Sequence, residues 1–290
     1  MDDLDVRLLV ELLRDRITPD HSLGQHFLLD EAVIERAVEI ASLHHPINEH
    51  SHVLEIGPGP GSLTLELLRS GAKVTAIELD VEATSHLARV FNNADGKLQV
   101  LHGDALEIDW PKDITHIVSN LPYQISSPVL DRIQKHHFSS KLKGISLLVQ
   151  EEFAERMAMN KGYATRGPLG HSLWLDFDVE LDSKVAPHSF SPSPRVHSRL
   201  TNLIPVNREM TESIDRRLFR MVIIECFANR RRKLRTSLKK PPKRLNRISG
   251  WHRSRWEKAT NTIPSETLDL RPENLTSEDW VSLISQITQA

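Results

Sequence analysis

The stretch VLEIGPGPGSLTLELL, residues 53–68, joins an apolar run to a glycine-proline loop and then to a second apolar run. Residues 53–56 are predicted as a buried strand, residues 57–61 as a turn, and residues 63–68 as the start of a helix. A glycine loop that follows a strand and opens a helix is a candidate nucleotide-binding loop. This stretch therefore predicts the first βα unit of a ligand-binding sheet.

The same alternation of strands and helices continues along the chain. Strands are predicted at residues 73–79, 98–102, 115–119 and 144–149, and helices at residues 8–13, 31–41, 81–90 and 130–136. Two further extended stretches, residues 177–185 and 199–206, flank a Pro-rich segment and look like an antiparallel pair that closes the sheet. The predicted fold class is α/β, a doubly wound Rossmann-like sheet.

The pattern changes after residue 206, where the chain becomes helical and basic. We predict a sheet domain at residues 1–206 and a smaller helical domain at residues 207–290. Between residues 229 and 258 there are thirteen basic residues and one acidic residue. A basic helix beginning at Arg230 is expected to contact RNA phosphates through Arg230, Arg231, Arg232 and Lys233, the alternative being a solvated positive face.

Composition narrows the class of protein. The hydrophobic fraction is 39%, charged residues make up 26%, and the single cysteine is Cys226, so neither an intrachain disulfide nor a Cys-based zinc site is expected. No apolar run approaches the ~20 residues of a membrane span, and the acidic N-terminus is unlike a signal peptide. We expect a cytoplasmic protein that contacts no membrane. The paired histidines His44, His45, His136 and His137 are interpreted as surface residues, and no metal site is predicted.

The glycine loop favours a ligand without phosphates. Pro58 and Pro60 alternate with the glycines and have no N–H to offer a pyrophosphate. S-adenosylmethionine is such a ligand. Glu78 ends the next predicted strand, where it can accept both hydrogen bonds of a ribose diol, and Asp104 follows the third, where it can accept from the adenine amine.

The segment Asn120-Leu121-Pro122-Tyr123 follows the fourth predicted strand, at the carboxyl edge of the sheet. The Asn120 side chain and the Leu121 main-chain carbonyl are candidate acceptors for the two N–H groups of an adenine amine. Tyr123 is expected to stack on an extruded base. Phe190 is a candidate for the other face of that base, and the alternative is a hydrophobic plug in its Pro-rich loop.

Several segments together resemble the KsgA-type ribosomal RNA adenine dimethyltransferases. They are residues 23–28 (LGQHFL), 55–61, Glu78, Asp104, 120–123, 150–157 (QEEFAERM), 190–198 and 227–233 (FANRRRK). Residues 120–128, NLPYQISSP, resemble the archaeal and eukaryotic branch. The match runs from about residue 20 to at least residue 240. In two places the chain departs from the family: His26 stands where Asn is usual, and residues 162–169 replace a Tyr-x-Arg-Leu-Ser pattern.

The resemblance implies a function and its partners. It implies dimethylation of two adjacent adenosines in the 3′-terminal hairpin of small-subunit rRNA during late ribosome assembly, with S-adenosylmethionine as cofactor. It also implies cofactor contacts from Gln25, His26, Leu28, Gly57, Gly59, Glu78, Asp104 and Asn120. The expected partner is small-subunit rRNA or the small ribosomal subunit precursor, and the chain is expected to be a monomer.

Two other functions stay open. One is methylation of a single adenine in large-subunit rRNA, against which the basic second domain argues. The other is a ribosome-assembly or transcription factor built on a methyltransferase fold, against which the intact Asn120 and Tyr123 argue. DNA and protein-glutamine methyltransferases would more naturally carry Pro in the position of Leu121.

Overall fold

The computed structural model describes residues 4–18 and 24–289, so Leu23 of the LGQHFL segment lies outside the described residues. Packing divides the chain into two compact units, Met1–Ala154 with Asp178–Pro205, and Glu155–Phe177 with Val206–Ala290. The sequence-based division at residue 206 stays a prediction about domains. By packing, residues 155–177 group with the C-terminal helices, because Trp174 and Leu175 lie in the apolar core of those helices.

The first unit is built on a mixed seven-stranded sheet. Its strands are β2 (His52–Ile56), β3 (Lys73–Glu78), β4 (Leu98–His102), β5 (His116–Asn120), β6 (Gly144–Gln150), β7 (Phe177–Val185) and β9 (Ser198–Pro205). A two-residue pair, β1 (Phe27–Leu28) with β8 (Phe190–Ser191), forms a separate antiparallel ladder. The order of the large sheet is β4-β3-β2-β5-β6-β9-β7. β2 to β6 pair in parallel and β9 runs antiparallel to β6, which confirms the predicted α/β fold.

Helices follow the strands as the alternation predicts. They are α1 (Val6–Arg14), α2 (Glu31–Ala41), α3 (Ser62–Arg69), α4 (Val81–Val90) and α5 (Ser126–Ser140), and α6 (Glu151–Ala158) follows β6 directly. Aspartates accept hydrogen bonds from the free N–H groups at the starts of α1, α2 and α4: Asp5, Asp30 and Asp80. Such caps stabilise a helix start by about 1 kcal/mol, so the sequence fixes where these helices begin.

The order in which strands are added to the sheet switches sides between β2 and β5. The chain runs outward from β2 through β3 and β4, then returns to place β5 on the other side of β2. All residues of β2 are buried, and so are residues 74–78 of β3. The carboxyl ends of β2 and β5 therefore flank a switch point, which is where ligands bind in sheets of this kind.

The second unit is helical. Its helices are α7 (Pro168–Trp174), α8 (Arg216–Phe227), α9 (Leu234–Ser237), α10 (Arg253–Thr260), α11 (Ser265–Asp269) and α12 (Ser277–Gln289). Phe219, Trp256 and Trp280 are fully buried in its core. None of the helices in the part of the chain that the structure describes is long and apolar enough to cross a membrane.

Two local predictions are wrong. No helix begins at Arg230: α8 ends at Phe227, and residues 228–231 form a turn before α9. The buried positions of α8 end at Cys226, and a continued helix would place Asn229 and Arg230 on that apolar face, with nothing to bury. His137 is not a surface residue but is buried on α5 beside Ile133.

Candidate active site

A cavity opens at the carboxyl ends of β2, β3, β4 and β5. Its empty volume is about 1140 Å³ when the open solvent at its mouth is included. Five chain segments line it: residues 24–28, 55–63, 77–79, 103–105 and 120–125, with only Gly61 missing from the second. Every predicted cofactor residue lies on this cavity, as do Leu121 and Tyr123.

Two residues of the glycine loop must be glycine for two reasons: their φ angles are positive, and neighbouring side chains leave little room for a Cβ. Gly57 and Gly59 have φ angles of +68° and +55°, which L side chains rarely adopt. A Cβ on Gly57 would stand 3.1 Å from Pro122 Cγ, and one on Gly59 would stand 3.1 Å from the ring of Phe27. The loop is therefore pressed between the Asn120–Tyr123 segment and β1.

Glu78 joins the glycine loop to the end of β3. Its Oε2 accepts from the Gly59 N–H at 3.0 Å, and its Oε1 accepts from the Asp80 N–H at 2.9 Å. Burial raises the pKa of Glu78, while these hydrogen bonds act in the opposite direction. Because a carboxylate has about four acceptor positions, Glu78 keeps capacity for a ribose diol while it positions the loop.

Glu55 is a second buried carboxyl on the cavity, and it was not among the predicted site residues. Its side chain is 2% exposed, and its Oε2 accepts from the Thr64 hydroxyl at 2.6 Å. Burial, with a smaller contribution from the nearby Glu78 carboxylate, raises the pKa of Glu55 to about 8, although the hydrogen bond from Thr64 acts in the opposite direction. Glu55 is the first residue of the segment 55–61 that carries part of the family resemblance, and this position was the signal in the sequence for a place on the cavity.

Asp104 lies in a loop that a long-range contact stabilises. Its Oδ1 accepts from the Leu106 N–H at 2.8 Å, which leaves Oδ2 as the oxygen outside that turn. Trp110 Nε1 donates to the carbonyl of Ala105 at 3.0 Å. Arg132 of α5 donates to the carbonyl of Ile108 and lies over the Trp110 ring, 4.9 Å from its centroid. The sequence carried no signal for this contact, because its partners are more than twenty residues apart.

Asn120 ends β5, and its amide has a defined orientation. Its Nδ2 donates to the main-chain carbonyl of His26 at 3.0 Å. A carbonyl can only accept, so the nitrogen of the amide must face it and Oδ1 must face away. The His26 ring is fixed in turn, because its Nδ1 donates to the carbonyl of Pro192 at 2.8 Å. Asn120 thus presents an acceptor oxygen, as the proposed chemistry requires.

Tyr123 and Phe190 have different surroundings. The Tyr123 hydroxyl shares a hydrogen bond of 2.7 Å with Ser198 of β9, and its ring centroid is 5.7 Å from that of His26. Burial raises the pKa of the Tyr123 phenol. Phe190 is 3% exposed in the apolar core, pairs with Leu28 across the β1–β8 ladder, and does not line the cavity. This placement favours the hydrophobic plug over contact with a target base.

The comparisons with known proteins agree on one family. The family model "Ribosomal RNA adenine dimethylase" matches residues 18–249. The chain belongs to this family. The probable ribosomal RNA small subunit methyltransferase A of Methanopyrus kandleri is 33% identical over 94% of both chains. A dimethyladenosine transferase from Plasmodium falciparum has a similar structure, with a TM-score of 0.75 and 26% identity over 90% of this chain and 97% of that one.

A second solved structure shares the fold of this chain. The 23S rRNA methyltransferase ErmE matches with a TM-score of 0.64 and 23% identity over 90% of this chain and 99% of that one. An alignment of this extent includes most of the C-terminal helices. The helices of the second unit are therefore part of a shared fold, and the argument for a small-subunit target rests on the basic residues and not on the helices themselves.

As a member of the rRNA adenine dimethylase family, the chain is an S-adenosylmethionine-dependent methyltransferase, and the cavity fits this cofactor. Glu55, Glu78 and Asp104 line it, while no lysine or arginine is among the described residues that do so. Carboxyl oxygens can accept hydrogen bonds from an ammonium group and a ribose diol, and a lining without lysine or arginine offers no cation to a pyrophosphate. The absence of N–H groups on Pro58 and Pro60 acts in the same direction.

The predicted RNA-binding residues of the dimethylase lie in the second unit and are not equivalent. Arg230 pairs with Glu273 at 2.9 Å, and Lys233 pairs with Asp269 at 3.1 Å. Arg231 and Arg232 are exposed, and neither has a carboxylate partner in the part of the chain that the structure describes. Of these four residues, Arg231 and Arg232 are thus the two whose positive charge is not compensated by a carboxylate.

Proposed function

We propose that this dimethylase modifies the exocyclic amine of two adjacent adenosines in the 3′-terminal hairpin of small-subunit rRNA, as part of ribosome biogenesis. The orientation of Asn120 carries the proposal, because it supplies an acceptor oxygen beside a cavity suited to S-adenosylmethionine. The small-subunit target is supported by the name of the Methanopyrus kandleri relative, which aligns over 94% of both chains.

The cofactor contacts are divided among the loops that line the cavity. Glu78 accepts from the ribose diol, and Asp104 accepts from the adenine amine through Oδ2. Gly57 and Gly59 allow close approach of the main chain, and Asn120 closes the opposite wall. Gln25, His26 and Leu28 cover the cofactor from the segment before α2. When bound, S-adenosylmethionine supplies a methyl group on a positively charged sulfur.

Catalysis depends on acceptors and not on a strong base. The lone pair of an adenine amine is delocalised into the ring, so attack on a methyl group builds positive charge on the nitrogen. Asn120 Oδ1 and the Leu121 carbonyl would accept the two N–H groups of the unmodified amine, hold the nitrogen in line with the methyl group, and stabilise that charge while the carbon–nitrogen bond forms and the carbon–sulfur bond breaks. The nitrogen would then lose one of its protons to solvent, which requires no strong base. Tyr123 stacks on the extruded base, with its ring oriented by the hydrogen bond to Ser198.

The partner we propose is the small ribosomal subunit precursor, bound in part through Arg231 and Arg232. Exposed cations without carboxylate partners displace the counterions condensed on RNA phosphates, and the release of these counterions supplies a large share of the affinity for nucleic acid. A cytoplasmic location and a monomeric state stay predictions from the sequence, as does the domain boundary at residue 206.

The substrate can be tested by offering the protein under-methylated small subunits and large subunits with labelled S-adenosylmethionine. We expect label in small-subunit RNA, and much slower labelling when Asn120 is replaced by Ala. Label confined to large-subunit RNA would leave the chemistry standing and overturn the substrate. Binding of small subunits without transfer would favour the assembly-factor function instead.

A further inference from the structure

Tyr163 is an exposed aromatic residue in the second unit, and the function proposed above does not use it. It lies in the short 3-10 turn Gly162–Ala164, and its side chain is 58% exposed. A single exposed apolar side chain is common on protein surfaces and by itself indicates nothing. The arrangement around this one is unusual, because both its ring and its main chain are held by arginines.

The first arginine covers one face of the ring. The guanidinium carbon of Arg166 is 5.0 Å from the Tyr163 ring centroid. Arg166 Nη1 also donates to the main-chain carbonyl of Glu273 at 3.1 Å, which fixes the guanidinium in place. A cation on one face of an aromatic ring is a stabilising contact, and with this contact in place the Tyr163 side chain is still 58% exposed.

The second arginine holds the main chain of the same turn. Arg230 Nη2 donates to the Tyr163 carbonyl at 2.8 Å, and Arg230 Nε donates to Glu273 Oε2 at 3.0 Å. Both arginines therefore join the Tyr163 turn to Glu273. Because the turn is already held in place, the Tyr163 ring loses little conformational entropy when a flat ligand stacks on it. Less of the free energy of stacking is therefore offset by the ordering of the protein.

The charge around the ring selects the class of ligand. Arg231 and Arg232 directly follow the arginine that holds the Tyr163 carbonyl, and both are exposed. In the described part of the chain no carboxylate pairs with either of them, whereas Lys233 and Arg235 both pair with Asp269. An exposed aromatic ring in a turn that Arg230 holds, with two uncompensated cations next to Arg230 in the chain, matches a nucleobase with its flanking phosphates.

We propose that Tyr163 is a stacking platform for an unpaired base of an RNA ligand, with Arg166 behind the ring and Arg231 and Arg232 on the adjacent phosphates. The inference rests on the proposed function, in that the substrate is RNA. It adds a second base contact in the second unit, separate from Tyr123 in the cavity. An aromatic face accepts any base, so the platform contributes affinity and not sequence preference.

The test compares three variants of the full-length protein: Tyr163→Ala, Tyr163→Leu, which keeps apolar bulk without an aromatic ring, and Tyr163→Phe, which keeps the ring. Fluorescence anisotropy measures binding to a labelled single-stranded 12-nucleotide RNA of adenine and uracil, and to a blunt RNA duplex, over a range of salt concentrations. Thermal melting checks that each variant is folded. Because the residue is exposed, the melting temperatures are expected to match the wild type.

Stacking predicts roughly tenfold weaker binding of the single strand by Tyr163→Ala and Tyr163→Leu, with wild-type affinity in Tyr163→Phe. The slope of log K against log salt should stay unchanged, since no phosphate contact is removed. Duplex binding should also be unchanged, because its bases are already stacked. Wild-type affinity of Tyr163→Ala for the single strand, an equal loss on the duplex, or a weak Tyr163→Phe would each overturn the platform. If the wild type binds neither RNA, the platform is overturned, while the proposed function is decided separately by methyl transfer to small subunits.

Discussion

Asn120 owes its orientation to a main-chain carbonyl, that of His26, and not to another side chain. A main-chain partner survives most substitutions of His26, so the acceptor oxygen of Asn120 is a property of the fold at this point. The sequence predicted the role of Asn120 from its place after a strand. It could not predict the partner, because His26 lies 94 residues earlier in the chain.

Replacing Asn120 by Ala is expected to slow methyl transfer by about 10²-fold or more, the usual effect of removing one group that stabilises transition-state charge. Glu78 and the glycine loop remain in this variant, so the affinity for S-adenosylhomocysteine should change far less. Single-turnover transfer and binding calorimetry measure the two quantities separately. Full transfer activity in the variant would remove Asn120 from the mechanism.

Glu55 predicts a pH dependence of stability in the ligand-free protein. Burial raises its pKa from an ordinary 4.5 to about 8, so the folded state binds this proton more tightly than the unfolded chain does. The stabilising contribution is therefore complete below about pH 4.5 and is lost as the pH rises to about 8. Over that window the free energy of unfolding should fall by up to about 1.4 kcal/mol per pH unit.

Glu55→Gln is the matched variant, because an amide cannot ionise and can still accept from Thr64. Denaturant unfolding at several pH values between 5 and 8 should show a steeper decline for the wild type than for the variant. Parallel curves for the two proteins would mean that Glu55 ionises at its ordinary pKa, despite its burial.

The loop between β4 and β5 shows how one helix positions part of the site. Arg132 of α5 stacks on Trp110 and donates to the Ile108 carbonyl, while Trp110 donates to Ala105 beside Asp104. Arg132→Met keeps most of the apolar bulk and removes both polar contacts. We expect its affinity for S-adenosylhomocysteine to fall several-fold, with about 1 kcal/mol lost from binding.

Lys135→Met is the control for that substitution, since Lys135 is an exposed residue on the same helix. It should bind the ligand as the wild type does, by the same calorimetric measurement. An unchanged affinity in Arg132→Met would show that the Asp104 loop keeps its conformation without the arginine.

Regular elements were predictable where local chemistry dictates them. The prediction for α2 at residues 31–41 agrees with the observed Glu31–Ala41, because an aspartate cap and apolar spacing are local signals. The helix predicted to begin at Arg230 is a turn in the structure. The prediction was made from the basic composition of the segment, and composition does not show where the apolar face of the preceding helix ends. The β1–β8 pair is only two residues long and joins distant segments, so it gave no periodic signal.

The arginines of the basic segment are equivalent in the sequence but differ in whether they form an ion pair. Arg230 is tied to Glu273, whereas Arg231 and Arg232 have no carboxylate partner among the described residues. Replacing Arg231 and Arg232 together by Ala should reduce the salt slope of single-stranded RNA binding by about 1.4, the value for two lost phosphate contacts. Arg230→Ala should instead lower the free energy of unfolding by less than about 1 kcal/mol, since the pair is partly exposed.

Filter binding at several salt concentrations measures the slope, and thermal melting measures the stability. An unchanged slope of log K against log salt in the double variant would mean that Arg231 and Arg232 form a solvated positive face and contact no phosphate. The net charge of −2 for the whole chain hides this segment completely. Local charge, and not the overall balance, carried the prediction of RNA binding.

For the molecule as a whole, the sequence sufficed for the fold class, the cofactor and the family, because motifs at successive strand ends are local. Grouping residues 155–177 with the C-terminal helices depends on packing between distant segments, which periodicity does not reveal. The RNA target could not be predicted from the fold, for a different reason. Structures similar to this chain include both a dimethyladenosine transferase and a 23S rRNA methyltransferase, so the fold serves more than one substrate.

The most direct test of the central claim is the identity and position of the methylated nucleoside. Under-methylated small ribosomal subunits would be incubated with the protein and labelled S-adenosylmethionine, then digested with nuclease and analysed by mass spectrometry. The account predicts dimethyladenosine at two adjacent positions in the 3′-terminal hairpin. Intact, active protein that leaves these adenosines unmodified, or that places its methyl groups elsewhere in the RNA, would contradict it.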